Sequence, residues 1–123
     1  MRVQVKGTVL RGEAAPVVHA ISHEIDRNIA HTLLDRWRRF LKNSMRHPTG
    51  TYERHMAVRE ARLTFTVTDG GMVYGPWLEG TSRRNRATRF KGYAAQRRAR
   101  REVDRESVHI AERVISANIG RLE

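Results

Sequence analysis

Arg59-Glu60-Ala61-Arg62-Leu63-Thr64-Phe65-Thr66-Val67-Thr68-Asp69-Gly70-Gly71-Met72-Val73-Tyr74 is the stretch on which the fold turns. Ala61, Leu63, Phe65 and Val67 alternate with Arg62, Thr64, Thr66 and Thr68. Side chains two apart share one face of a strand, so this pattern predicts a half-buried strand with an apolar and a polar side. Asp69-Gly70-Gly71 follows as a tight-turn signal, because glycine reaches the positive φ that a hairpin needs, and Met72-Val73-Tyr74 is expected to start the return strand. A further strand is expected at 51–56.

On the amino-terminal side, Val3 and Val5 alternate with Arg2, Gln4 and Lys6 as far as Gly7, which predicts a short edge strand and then a turn. From Pro16 the period changes. Ile21, Ile25, Ile29, Leu33, Trp37 and Leu41 recur at every fourth residue, widened by Val18, Leu34 and Phe40, and predict a long amphipathic helix. Pro16 suits its first turn, Arg36, Arg38, Arg39 and Lys42 suit the negative end of its dipole, and His47-Pro48-Thr49-Gly50 should stop it. On the carboxyl side, Thr81 to Gly92 is polar, basic and aperiodic and reads as a loop. After Tyr93, Ala95, Ala99, Val103, Ile110, Val114 and Ala117, widened by Ala111 and Ile115, mark a second long helix that should end near Gly120. The class is therefore α+β in one domain spanning 1–123: short strand, long helix, antiparallel hairpin-based sheet, basic loop, long helix. Leu63, Phe65, Val67, Tyr74 and Leu78 are expected to pack on Ile25, Ile29, Leu33 and Trp37, with the last helix completing the layer.

The 123 residues suffice for one modest core. With 39% hydrophobic and 30% charged residues the chain is expected to fold, and no apolar run approaches the ~20 residues of a membrane span. The opening residues lack a signal-peptide pattern, so the protein is expected to stay in the compartment where it is made. The absence of cysteine removes disulfides, thiolate nucleophiles and cysteine-zinc sites.

Twenty-four Lys and Arg against 13 Asp and Glu leave a net charge of +11. Nine basic residues and no acid lie between Arg83 and Arg101: Arg83, Arg84, Arg86, Arg89 and Lys91, then Arg97, Arg98, Arg100 and Arg101. A field this concentrated favours a polyanionic partner, nucleic acid or an acidic protein face, over a merely solvated surface. Nothing inside a single chain is expected to offset it. The Arg83 to Lys91 loop is therefore expected to order on assembly, against DNA phosphates or acids such as Glu79 or Glu102 of a neighbour.

Candidate chemistry is sparse. His19 and His23 have the spacing at which two imidazoles on a helix can meet one metal, with Glu24 adjacent, but His23-Glu24-Ile25-Asp26-Arg27 lacks the second histidine of a zincin helix. The serines sit in no nucleophile elbow, and the acids Asp26, Asp35, Glu102, Asp104 and Glu106 read as partners of nearby arginines. No phosphate-loop or dinucleotide glycine spacing occurs. No enzymatic activity, metal or cofactor is expected.

Tyr74-Gly75-Pro76-Trp77-Leu78-Glu79-Gly80-Thr81 is the informative stretch, read as a strand rich in apolar area that breaks at an exit turn of glutamate and glycine. It resembles the hallmark of the siphophage tail-completion, or minor tail component, family: aromatic, small, proline, aromatic, aliphatic, glutamate, any residue, glycine, threonine. This chain lacks the residue between Glu79 and Gly80. Val3-Gln4-Val5-Lys6-Gly7 before a long helix is similar to that family's start. Thr88-Arg89-Phe90-Lys91-Gly92-Tyr93, running into an arginine-rich helix, resembles the head-to-tail connector proteins of actinobacterial phages, with Lys91-Gly92 where many relatives place a proline. The resemblance implies a non-catalytic virion protein without cofactor. It would be assembled in the host cytoplasm and form a homo-oligomeric ring, usually hexameric, between a head connector or stopper and a tail terminator or tail tube. In that setting Arg83, Arg84, Arg86, Arg89 and Lys91 would face packaged DNA or a neighbouring subunit. The competing reading, warranted by charge alone, is a free basic nucleic-acid-binding protein; no helix-turn-helix, zinc-finger or RNA-recognition motif accompanies it.

Overall fold

Period-two alternation at the amino terminus forms β1 (Arg2–Lys6), and the four-residue apolar period forms α1 (Ala15–Ser44), about 45 Å long at 1.5 Å per residue. The computed structural model describes residues 2–6, 15–45, 50–62 and 64–121; the expected helix stop at His47-Pro48-Thr49 and the expected strand residue Leu63 lie outside them. Ile21, Ala30, Leu33, Leu34, Trp37 and Leu41 are the buried face of α1, with Ile25 and Ile29 half-buried beside them.

The strand expected at 51–56 is instead a single helical turn, α2 (Thr51–Arg54). Tyr52 and Met56 are both buried, and residues four apart meet on one side of a helical turn, whereas the stretch has no period-two burial. β2 (Ala57–Ala61) and β3 (Thr64–Thr68) follow. The sheet is antiparallel in the order β1-β3-β2, with Val67 opposite Val3 on one side and Val58 on the other.

The expected hairpin does not form: the stretch read as one strand is two, β2 and β3, and the chain reverses between Ala61 and Thr64, with Arg62 at positive φ, and not at Asp69-Gly70-Gly71. Ala61 pairs with Thr64, so Ala61 shares a face with Thr64 and Thr66, opposite Phe65 and Val67. A reversal hidden in unbroken alternation, with Arg62 at φ 54 where glycine or asparagine is usual, leaves no mark in the sequence pattern. Gly70 and Gly71 do take the positive φ expected of them, 74° each, but they turn the chain off the sheet. Asp69 is fully buried; its Oδ1 accepts from the Gly71 amide at 3.0 Å and its Oδ2 from the Tyr52 hydroxyl at 2.7 Å. No strand forms at Met72-Val73-Tyr74. Residues Gly75–Glu79 form α3, and the supposed basic loop contains α4 (Arg83–Thr88).

The last helix is α5 (Ala95–Asn118), continued by a 3₁₀ turn at Ile119–Arg121. Ala95, Ala99, Val103, Ile110 and Val114 are buried as expected, but Ala117 is exposed. Asn118 takes the inward place, donating to the Val114 carbonyl at 2.8 Å and to Glu24 on α1 at 3.2 Å. α1 packs along α5 and against all three strands, so one core joins Phe65, Val67 and Leu78 to Leu33, Trp37, Ala99 and Val103. Ile29 and Tyr74 border it. The α+β class and the element order strand, long helix, three-stranded antiparallel sheet, long helix are as the patterning requires. No helix among the described residues is long and apolar enough to cross a membrane.

Candidate interaction site around the arginine-rich segment

The motif Tyr74 to Thr81 is a compact helical knuckle and not the strand its aromatics suggested. Tyr74 is the N-cap of α3 and Pro76 occupies its first turn, where a missing amide costs no hydrogen bond. Gly80 ends it at φ 99, with the amides of Gly80 and Thr81 both donating to the Pro76 carbonyl at 2.9 Å. A glycine is required at Gly80 for a second reason: it lies back to back with Gly92, and a Cβ on either would enter the other strand of backbone. The Tyr93 amide donates to the Leu78 carbonyl at 2.7 Å across the same contact. Beneath Gly75 lie Asp69 and the Tyr52 hydroxyl. Burial and the Asp69 carboxylate beside it push the Tyr52 hydroxyl far up, so it remains the donor.

Glu79 is buried, and its carboxylate accepts from the amides of Gln96 at 2.9 Å and Arg97 at 3.1 Å. These are orphan donors of the first turn of α5, whose own N-cap, Ala94, has no side chain to offer them. The motif thus sets the start and direction of the helix that carries four of the nine basic residues.

Of the other five, Arg83, Arg84 and Arg86 lie on α4, Arg89 is its C-cap and Lys91 is in the connector to α5. Ser82 and Asn85 form a reciprocal capping box: the Ser82 hydroxyl accepts from the Arg84 amide at 3.2 Å and the Asn85 side chain from the Ser82 amide at 2.9 Å. The Asn85 amide group also donates to the carbonyls of Trp77 and Phe90, each at 2.8 Å, joining both ends of the segment. Trp77, Phe90 and Tyr93 stack edge to face at 4.5 and 5.1 Å, and the indole N–H of Trp77 donates to Thr88 Oγ1 at 3.1 Å. The expectation that Thr81 to Gly92 is a structureless loop is therefore corrected: α4 and its bonds to Trp77 and Phe90 give the segment a scaffold within the chain.

All nine basic side chains from Arg83 to Arg101 are exposed, and none makes an ion pair among the described residues. Arg98 is the one that packs down, over the Phe40 ring at 4.8 Å with a hydrogen bond to Ser44 Oγ at 2.8 Å. The acids proposed to meet this charge from a neighbour are already engaged in their own chain. Glu79 caps α5, and Glu102 pairs with Arg36, which also reaches Glu106 at 3.0 Å.

His23 does not project into solvent towards a metal. Its ring lies 4.9 Å from that of Phe65, and Nε2 is 2.8 Å from Glu60 of β2. Among the described residues no group of three or more His, Asp or Glu side chains could hold a metal ion. Sequence reasoning missed Asn85, Tyr52 and Asp69. Of these only the Ser82-x-x-Asn85 spacing was visible, as a relative of the capping box. Compared with protein-family models, with curated proteins and with solved structures, the chain matches none.

Proposed function

We propose that this protein is a structural subunit of a phage head-tail junction. It works as one of several identical copies in a ring, hexameric by the resemblance of its motifs, between a head connector or stopper and a tail terminator or tail tube. The observation that carries this reading is the arginine-rich face: nine exposed cationic side chains without an internal ion partner among the described residues, held on a frame built by Tyr74 to Thr81. A face of this kind is suited to packaged DNA or an acidic neighbouring ring, and its preorganisation lowers the ordering cost of binding. The same face favours a second reading, a free nucleic-acid-binding protein, whose affinity would fall steeply with salt as counterions are released.

Deleting the gene from its phage and restoring it in trans separates the two. The head-tail reading expects filled heads and detached tails in electron micrographs of the deletion lysate, and joined particles on restoration. Normal particles from the deletion would overturn it.

A further inference from the structure

Four large hydrophobic side chains are exposed among the described residues: Val73 at 87%, Val108 at 61%, Ile119 at 56% and Ile115 at 40%. They are not scattered. Val73 lies at a groove of about 540 Å³ whose walls include Tyr74, Trp77, Ser82, Arg84 and Thr88. The other three lie on one line of α5 and its 3₁₀ extension, since steps of seven and four residues return to nearly the same side of a helix. Asp104 and Glu112, both exposed, stand close to that line beside Val108, Ile115 and Ile119, with Arg105 to one side and Arg101 about two turns ahead of Val108. One patch is therefore apolar with an arginine at its rim, and the other apolar with the Glu112 carboxylate between its hydrophobic side chains and Asp104 at its amino-terminal end.

The two cannot meet within one chain. The groove adjoins the start of α5 through the Glu79 cap on Gln96 and Arg97, whereas Val108 to Ile119 lie about 16 to 33 Å further along the axis at about 1.5 Å per residue. Like-with-like pairing is unfavourable as well. Two stripes packed antiparallel bring Glu112 near its own copy, and two grooves face to face oppose Arg84 with Arg84.

We propose that the Val73–Trp77–Arg84 groove of one copy receives the Val108–Ile115–Ile119 stripe of a second copy, with Arg84 set against Glu112 or Asp104. This deepens the ring reading and rests on it for its setting. A contact between two different patches is heterologous: every added subunit leaves one free groove and one free stripe, so the series continues until a ring closes. The apolar side chains supply the burial, and the charges fix orientation.

The test is the mass of the purified full chain by size-exclusion chromatography with light scattering, for wild type, Val73→Asp and Ile115→Asp. Wild type is expected as a discrete multimer, and each variant as a monomer with unchanged far-ultraviolet circular dichroism. Mixing the two variants should give a one-to-one dimer and nothing larger, because together they retain one sound groove and one sound stripe. Should either aspartate variant fail to fold, the charge pair gives the same answer: Arg84→Glu and Glu112→Arg each lose the multimer and the double variant regains it. A wild type that stays monomeric, an Ile115→Asp protein of wild-type mass, or a mixture that remains monomeric overturns the contact. A multimer indifferent to all these substitutions removes this contact and leaves the ring reading intact. Heads and tails that join without the gene remove the ring reading whatever the mass.

Discussion

Glu79 ends one helix and starts another. Its carboxylate takes two backbone amides of α5 in a buried site where water does not replace it, and its negative charge faces the positive end of the helix dipole. Glu79→Ala is expected to lower stability by about 1–2 kcal/mol, the range of a lost helix cap, with Glu79→Gln in between because an amide oxygen still accepts. Urea denaturation of the three proteins measures this, and coincident midpoints would mean the cap contributes nothing. The importance of Glu79 was legible in the sequence only through the motif around it. Its role was not, because the partner amides lie 17 and 18 residues away and become neighbours only when Gly80 and Gly92 meet. Asp69 was misread for a related reason. Beside two glycines it signals a turn, and it makes one, but its second oxygen is held by Tyr52, which sends the chain away from the sheet.

At the scale of elements, the long helices and the edge strand were readable because each repeats its period many times or is bounded by glycine. Short elements were not. α2, α3 and α4 span four to six residues, too few for a helical period to show; Tyr52 and Asn85 find tertiary partners there, and Pro76 presets the first turn of α3. Asn85→Ala removes three hydrogen bonds that hold α4 between Trp77 and Phe90. Amide exchange should accelerate across 82–91 while the rest of the chain keeps its protection, because the core lies elsewhere. Unchanged exchange there would show that the aromatic stack alone holds the segment. Phe65, at the centre of the sheet face, is expected to cost about 3–5 kcal/mol when truncated to alanine, as other buried aromatics do. A thermal midpoint unmoved by Phe65→Ala would remove the packing of β3 on α1.

Across the whole molecule, the hydrophobic stripes and the cationic face are separate. The core is built from α1, β3, α3 and the inward side of α5, while the nine basic side chains point outward from α4, its connector and the first turns of α5. Charge reversal on the outside should therefore leave the fold standing. The charge cluster was fully legible in the sequence, since composition alone locates it, whereas its rigid support and the occupied state of Glu79 and Glu102 were not. The most direct measurement is complementation of the gene-deleted phage by Arg84→Glu, Arg86→Glu, Arg89→Glu protein, with electron microscopy of the lysate and circular dichroism of the purified variant. The account predicts a folded protein and a lysate of filled heads and detached tails. Normal joined particles from the triple variant would contradict it, because the arginine-rich face would then not be what joins the two.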